Sequence, residues 1–187
     1  MKLERNASPS FLIVDAQSVK NSDTAGSKGY DAGKKVFRIK RHLAVDTQGL
    51  PHAVAITTAD ISDRVGAVAA FEGCEGELQS VASVLADGGY TGEDFADEVL
   101  GTLGATVQIA KRNELHRFEV LPKRWIVERS FAWLEKCRRL WKNCERLLNT
   151  SLQFVHLAFL ALVTQKILNR LLALRLIALE SRYNYST

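Results

Sequence analysis

Two short, mainly apolar runs, each stopped by an aspartate, do most to limit what this chain can fold into. Residues 11–14 end at Asp15 (FLIVD) and residues 81–86 end at Asp87 (VASVLAD). Apolar runs of roughly 4–8 residues read as strands buried on both faces, the central strands of a layered sheet. A carboxylate at the end of such a strand is costly to bury without a partner. A third acid, Glu128, lies in the helical-looking stretch KRWIVERSFAWLEKCRRL, among Lys123, Arg124, Arg129, Lys136, Arg138 and Arg139. Carboxylates on two strands and a later helix suit hard divalent cations, which take oxygen ligands. A pair of such ions can activate the attacking oxygen at a phosphodiester and steady the leaving one. The residues therefore read as a nucleic-acid phosphoryl-transfer site. Each also has a plainer reading: Asp15 as a strand-end cap, Asp87 as the start of a D-G-G-Y turn, and Glu128 as the ion-pair partner of Arg124 one helical turn earlier.

Charge distribution points the same way. Net charge is +4 over 187 residues, but between residues 57 and 100 ten acids face only Arg64, while bases prevail in 28–41 and 111–146. Basic segments beside acidic metal candidates suit a polyanion, because Lys and Arg neutralise phosphates and release counterions. Cys74, Cys137 and Cys144 form no CxxC spacing, which fits a reducing cytoplasm rather than a disulfide framework. The histidines (His42, His52, His116, His156) make no HExxH, and no P-loop, GxGxxG or GxSxG occurs, so zinc hydrolysis, a bound nucleotide and a serine nucleophile are all unsupported. The polar opening MKLERNASPS is no export signal. Residues 147–165 lack Lys, Arg, Asp and Glu but carry seven polar side chains, and a span needs about 20 predominantly apolar residues. They read as a buried or partner-facing helix, with no membrane implied.

The pattern predicts strands over 11–14, 38–46, 52–58, 81–86 and 106–110, with TQGLP turning the second into the third as a hairpin and Asp46 serving that turn. Helices are expected over 63–71 and over 93–103, the latter closed by Gly104. Residues 21–35 read as a loop. After Pro122, a residue suited to a helix start, one long helix is expected over 123–148 and another over 152–179. Trp125, Trp133 and Trp141 read as a core stripe. The order is that of an α/β layer structure around a mixed sheet.

The stretches VDAQSVK, KGYDAGKKVFRIKRHLAVDTQG, ADGGYTG and RWIVERSFAWLEKCRRL closely resemble the catalytic domain of DDE transposases of bacterial insertion sequences, in the insertion-sequence-five group. The resemblance runs from about residue 11 to residue 172. It implies an RNase H-like, retroviral-integrase-like fold: a mixed five-stranded sheet flanked by helices, with long C-terminal helices. In domain terms, 1–10 is a lead-in, 11–148 the catalytic domain, and 149–187 a helical extension packed on it. By position, Asp15, Asp87 and Glu128 match the family's catalytic, metal-binding triad, and the cofactor implied is Mg²⁺ or Mn²⁺, two ions. The spacing between Asp87 and Glu128 leaves room for one helix, one strand and a turn, and none for a large insertion domain. Arg124 matches the Arg of the family's signature on the Glu helix; Leu121 stands where that signature has Tyr, and Glu135 where it has Lys, with Lys136 beside it. Lys111, Arg112, Arg124 and Lys136 are the candidate DNA contacts. The implied activity is cleavage of the element's ends and strand transfer into target DNA. Partners implied are double-stranded DNA and a second copy on DNA, in a nucleoid-associated, cytoplasmic protein. Because about fourteen residues precede Asp15, the chain also resembles the downstream half of a transposase split over two reading frames, with an upstream-frame half as a further partner. The alternatives are a truncated, regulatory fragment and an RNase H-like nuclease that only hydrolyses.

Overall fold

A computed structural model describes residues 8–31, 35–110 and 123–184, with side chains described as far as residue 175. The strands are β1 Phe11–Lys20, β2 Gly29–Asp31, β3 Val36–Val45, β4 Pro51–Thr58, β5 Ser83–Ala86 and β6 Thr106–Ile109. The α-helices are α1 Asp63–Glu72, α2 Glu93–Leu103, α3 Arg124–Glu135 and α4 Leu148–Asn184. All six strands form one mixed sheet. β1 pairs antiparallel with β3 and parallel with β5, and β5 pairs parallel with β6. The far edge of β3 is shared: Val36 to Arg38 pair with β2, Ile39 to Val45 with β4. The five principal strands are those expected from the sequence, and β2 is an addition inside the segment read as a loop.

Alternation along the central strands makes two cores. Leu12, Val14, Val84 and Ala86 point to the side covered by α1 and α2, where Phe71, Phe95 and Val99 are fully or almost fully buried. Ile13, Leu43 and Val45 point to the other side, against Ile126, Val127, Phe131 and Leu134 of α3 and Val155 and Phe159 of α4. That two-sided burial explains why FLIV and the end of VASVLA read as continuous apolar runs rather than alternating ones.

The helices on the first side follow local chemistry. Ser62 Oγ accepts from the Val65 amide to cap α1. Glu93 and Asp94 sit in the first turn of α2, whose end is closed by Gly104 at φ +67°, in the left-handed region that glycine enters without strain. Gly66 in α1 has a different task. It lies against the ring of buried His42, and a Cβ there would strike the imidazole.

Two expectations are corrected. β1 does not stop at Asp15 but runs on to Lys20, because the polar half (Ala16, Gln17, Ser18) gains its hydrogen-bonding partner from β3, through Lys20 opposite Arg38. The single helix expected over 123–148 ends at Glu135, and α4 starts four residues earlier than the second expected helix. Between them, the buried Arg41 guanidinium donates to the Leu140 carbonyl at 2.7 Å. Asn143 exchanges backbone hydrogen bonds with Lys20 and Ser22, and its Oδ1 accepts from Ser151 Oγ at 2.6 Å. These bonds to β1, β3 and α4 hold the segment out of a helix that its own residues permit.

Candidate active site

The sheet brings the two aspartates together. Ile13 of β1 lies opposite Leu85 of β5, and this is the last paired position between the two parallel strands. Asp15 and Asp87 each follow it by two residues, so they share a register on neighbouring strands, which lie about 4.8 Å apart in any sheet. Two residues on is also the same face of the sheet, the face toward α3 in the case of Ile13. At Asp87 the strand gives way to a single 3-10 turn over Gly88–Tyr90, and Asp87 Oδ1 accepts from the Gly89 amide at 2.8 Å.

α3 supplies the rest. Its apolar side (Ile126, Val127, Ser130, Phe131, Leu134) is buried, and this fixes the rotation of the helix so that Arg124 and Glu128 face the strand ends. Arg124 joins the acids: its NH2 lies 3.1 Å from Asp87 Oδ2, and its Nε 3.5 Å from Glu128 Oε1. Asp15 Oδ1 accepts from the Ala16 amide at 2.8 Å. Burial pushes the Asp15 carboxyl up to about 6, and the like charges of Asp87 and Glu128 add to the rise, while the Ala16 amide and the Arg124 guanidinium oppose it. Four of the residues singled out in the sequence thus share one patch, which opens into a cleft of about 320 Å³ lined by Asp87, Gly88, Gly89, Ala110 and Arg124.

The chemistry of the donor set fits a hard dication. Every donor is a carboxylate oxygen, and Asp15 carries the mutual repulsion that a divalent charge relieves. The present arrangement is held by a different cation. Among the described residues no three His, Cys, Asp or Glu side chains already stand as one ligand set, and the guanidinium of Arg124 spans Asp87 and Glu128 instead.

The other candidates fall elsewhere. Lys136 is the exposed residue at the C-terminal end of α3, eight residues beyond Glu128 and about 12 Å along the axis at 1.5 Å per residue. Lys111 and Arg112 follow directly on Ala110 at the cleft wall but lie outside the described residues, as does Leu121. The tryptophans are not a core stripe: Trp125 and Trp141 are exposed, and only Trp133 is partly buried. Their spacing of eight residues does not repeat on one face of α3 once the helix ends at Glu135. Arg129 instead lies over the rings of both Trp125 and Trp133, at 4.6 and 5.0 Å. One neighbour of the acids was missed. Tyr90 is buried beneath the turn, its ring 5.3 Å from that of Phe95. Its hydroxyl has no hydrogen-bond partner among the described residues. Burial, then the charges of Asp15, Asp63 and Asp87, hold that hydroxyl far above the ordinary phenol range. The signal was the Tyr that closes D-G-G-Y, which read only as part of a turn.

Known proteins resemble the chain at both levels. The family model described as "Transposase DDE domain" matches residues 6–163. A transposase for insertion sequence element IS402 of Burkholderia cepacia is 35% identical over 130 residues, covering 66% of this chain and 59% of that relative. A transposase for insertion sequence element IS6501 of Brucella ovis is 30% identical over 124 residues, covering 64% of this chain and 92% of that relative. The chain therefore spans well under two thirds of the first of these proteins. Among solved structures, a chain of the simian T-cell lymphotropic virus intasome bound to PP2A regulatory subunit B56 gamma superposes with a TM-score of 0.53 at 15% identity, over 83% of this chain and 49% of that one. At that identity the likeness concerns the fold, which is RNase H-like.

Proposed function

Since the chain belongs to the transposase DDE domain family of bacterial insertion sequences, we propose that it carries the catalytic centre for metal-dependent cleavage of an element's ends and for strand transfer into target DNA. The observation that carries this reading is that Asp15 and Asp87 stand side by side just past the last paired position of the parallel strands β1 and β5, with Arg124 of α3 bridging Asp87 to Glu128. Asp87 directly follows the carboxyl end of β5, and ligands of open α/β sheets characteristically bind at such strand ends.

Asp15, Asp87 and Glu128 are the residues to hold Mg²⁺ or Mn²⁺, in all two ions. Bound there, the metal supplies Lewis-acid stabilisation of the phosphodiester oxygens and lowers the pKa of water. The protein's own part is to fix the geometry. The 2.8 Å bond from the Ala16 amide and the register of β1 against β5 leave Asp15 little freedom, and burial of the apolar side of α3 fixes Glu128. Released from the acids, Arg124 is placed to pair with a phosphate, for which a planar guanidinium is well shaped. Lys111, Arg112 and Lys136 are proposed as further backbone contacts, and an upstream-frame partner as the source of end recognition. Paired ends imply two copies on DNA, acting in the cytoplasm on the nucleoid.

A second reading, DNA binding without cleavage, draws on the engagement of Arg124 with two of the three acids. One experiment separates the two: joining of pre-cleaved element ends to plasmid DNA, with the upstream-frame product present. Joined product that needs Mg²⁺ or Mn²⁺ and disappears in Asp87→Asn supports strand transfer. Hydrolysis alone points to a nuclease. Joining that survives replacement of any one of the three acids removes that acid from the site.

A further inference from the structure

Beyond the reach of the body of the protein, α4 keeps an apolar line along one side. Up to Val163 the helix is a layer of the fold, with Ser151, Val155 and Phe159 buried and Leu162 packed against the core. From Thr164 to Arg175 every residue is exposed. On the line that faces the body, the residues turn polar where the body ends: Leu162 is followed by Lys166 and Asn169, and Lys166 Nζ lies 3.7 Å over the ring of Trp133. The opposite line does not turn polar. Leu157, Leu160, Thr164, Ile167, Leu171 and Leu174 recur at alternating intervals of three and four, and the five aliphatic ones are 55% to 62% exposed. Thr164 fits the series, because its hydroxyl bonds back to the Leu160 carbonyl at 2.8 Å and asks nothing of solvent.

A seven-residue apolar repeat is the seam of one helix lying along another, and among the described residues nothing covers that side of α4, although packing of an apolar face is where most helical stability comes from. We propose that this seam is the interface with a second copy of the chain. Burying a leucine-sized side chain corresponds to roughly 60–120 Å² at 25 cal/mol/Å². The five aliphatic seam residues, with Leu168 and Leu172 beside them, therefore offer on the order of 400–800 Å² per copy. That approaches the roughly 800 Å² per partner of a stable, specific interface. The seam lies directly opposite the body-facing line, so two helices can meet along it with both bodies outside. This deepens the two-copy arrangement proposed above and uses none of the chemistry at Asp15, Asp87 and Glu128, so either can fail without the other.

The test is the mass in solution of the whole chain without DNA, by sedimentation equilibrium at tens of micromolar, for the wild type and for Ile167→Glu/Leu171→Glu. Both replacements sit on exposed positions, and Glu is a good helix former. The wild type is expected at twice the chain mass. The double variant is expected as a folded monomer, with a near-ultraviolet circular dichroism spectrum like the wild type's and a melting temperature that no longer rises with protein concentration, and with a dissociation constant raised at least ~100-fold, equivalent to about 2.7 kcal/mol. α4 is also long and apolar enough to cross a membrane by length and composition, so flotation with phosphatidylcholine–phosphatidylglycerol vesicles is measured alongside. A monomeric wild type, whether free in buffer or floating with vesicles, overturns the proposal, as does a double variant that dimerises like the wild type. A monomer that becomes a complex only with the upstream-frame product also overturns it, since the seam then belongs to another chain.

Discussion

Asp15→Asn is expected to stabilise the metal-free protein, and to do so more at high pH. The Asp15 carboxyl titrates at about 6 in the folded chain against 3.8 for an unperturbed one. Folding therefore favours its neutral form, and ionising it in the fold is unfavourable. The sign follows from linkage: below about pH 3.8 both states are protonated and there is no penalty; the penalty grows from 3.8 to 6 and is complete above 6. With 1.36 kcal/mol per pKa unit, its ceiling is about 3 kcal/mol at pH 8 and about 0.5 kcal/mol at pH 4. Asparagine keeps an oxygen able to accept from the Ala16 amide and removes the charge. Because Asp15 keeps partial contact with solvent, about 1–3 kcal/mol is the expected gain at pH 8. The assay is urea unfolding of both proteins in EDTA at pH 8 and pH 4. Adding Mg²⁺ at pH 8 should narrow the gap, because only the wild type retains the full ligand set and gains by mass action. Equal stability at pH 8 in EDTA, or a gain equally large at pH 4, refutes the burial of the Asp15 carboxyl from which its raised titration is argued.

His42 works in the opposite direction. Its pKa is lowered to about 4 by burial, so its contribution is complete above 6.5 and is lost as pH falls toward 4. In the Asp15→Asn background, free of the opposing titration, stability should drop by about 2 kcal/mol between pH 7.5 and pH 5 in urea melts, and a flat profile contradicts this. Gly66→Ala puts a methyl group into the His42 ring; a loss of about 1–3 kcal/mol in the urea midpoint is expected, and a neutral effect means the ring moves freely. Arg124→Gln should tighten Mn²⁺ binding several-fold without DNA, since the competing guanidinium is gone, yet lower strand transfer; weaker Mn²⁺ binding would show that Arg124 supports the metal rather than competing with it.

Legibility in the sequence followed the range of the interactions responsible. α2 could be read almost to the residue because its limits are local, with acids in the first turn and Gly104 beyond the last. β5 could be read because its apolar run and its Asp-Gly-Gly stop are adjacent. The second half of β1 could not, since Ala16, Gln17 and Ser18 become strand only through pairing with β3, more than twenty residues away. The end of α3 at Glu135 was hidden for the same reason: Arg41 holds the Leu140 carbonyl, and Asn143 is tied to the end of β1. At the site, residue types and order pointed to Asp15, Asp87 and Glu128. The role of Arg124 as the cation among them, and the presence of Tyr90 below, depend on how α3 and the D-G-G-Y turn sit against the sheet.

Whether these three acids seat divalent ions can be measured directly, by electron paramagnetic resonance titration of Mn²⁺ into the wild type and into Asp15→Asn, Asp87→Asn and Glu128→Gln. Saturable binding in the wild type, weakened at least ~10-fold by each replacement, is the expected result, about 1.4 kcal/mol or more per ligand. Mn²⁺ affinity that is the same in all four proteins would mean that the patch between β1, β5 and α3 holds no metal.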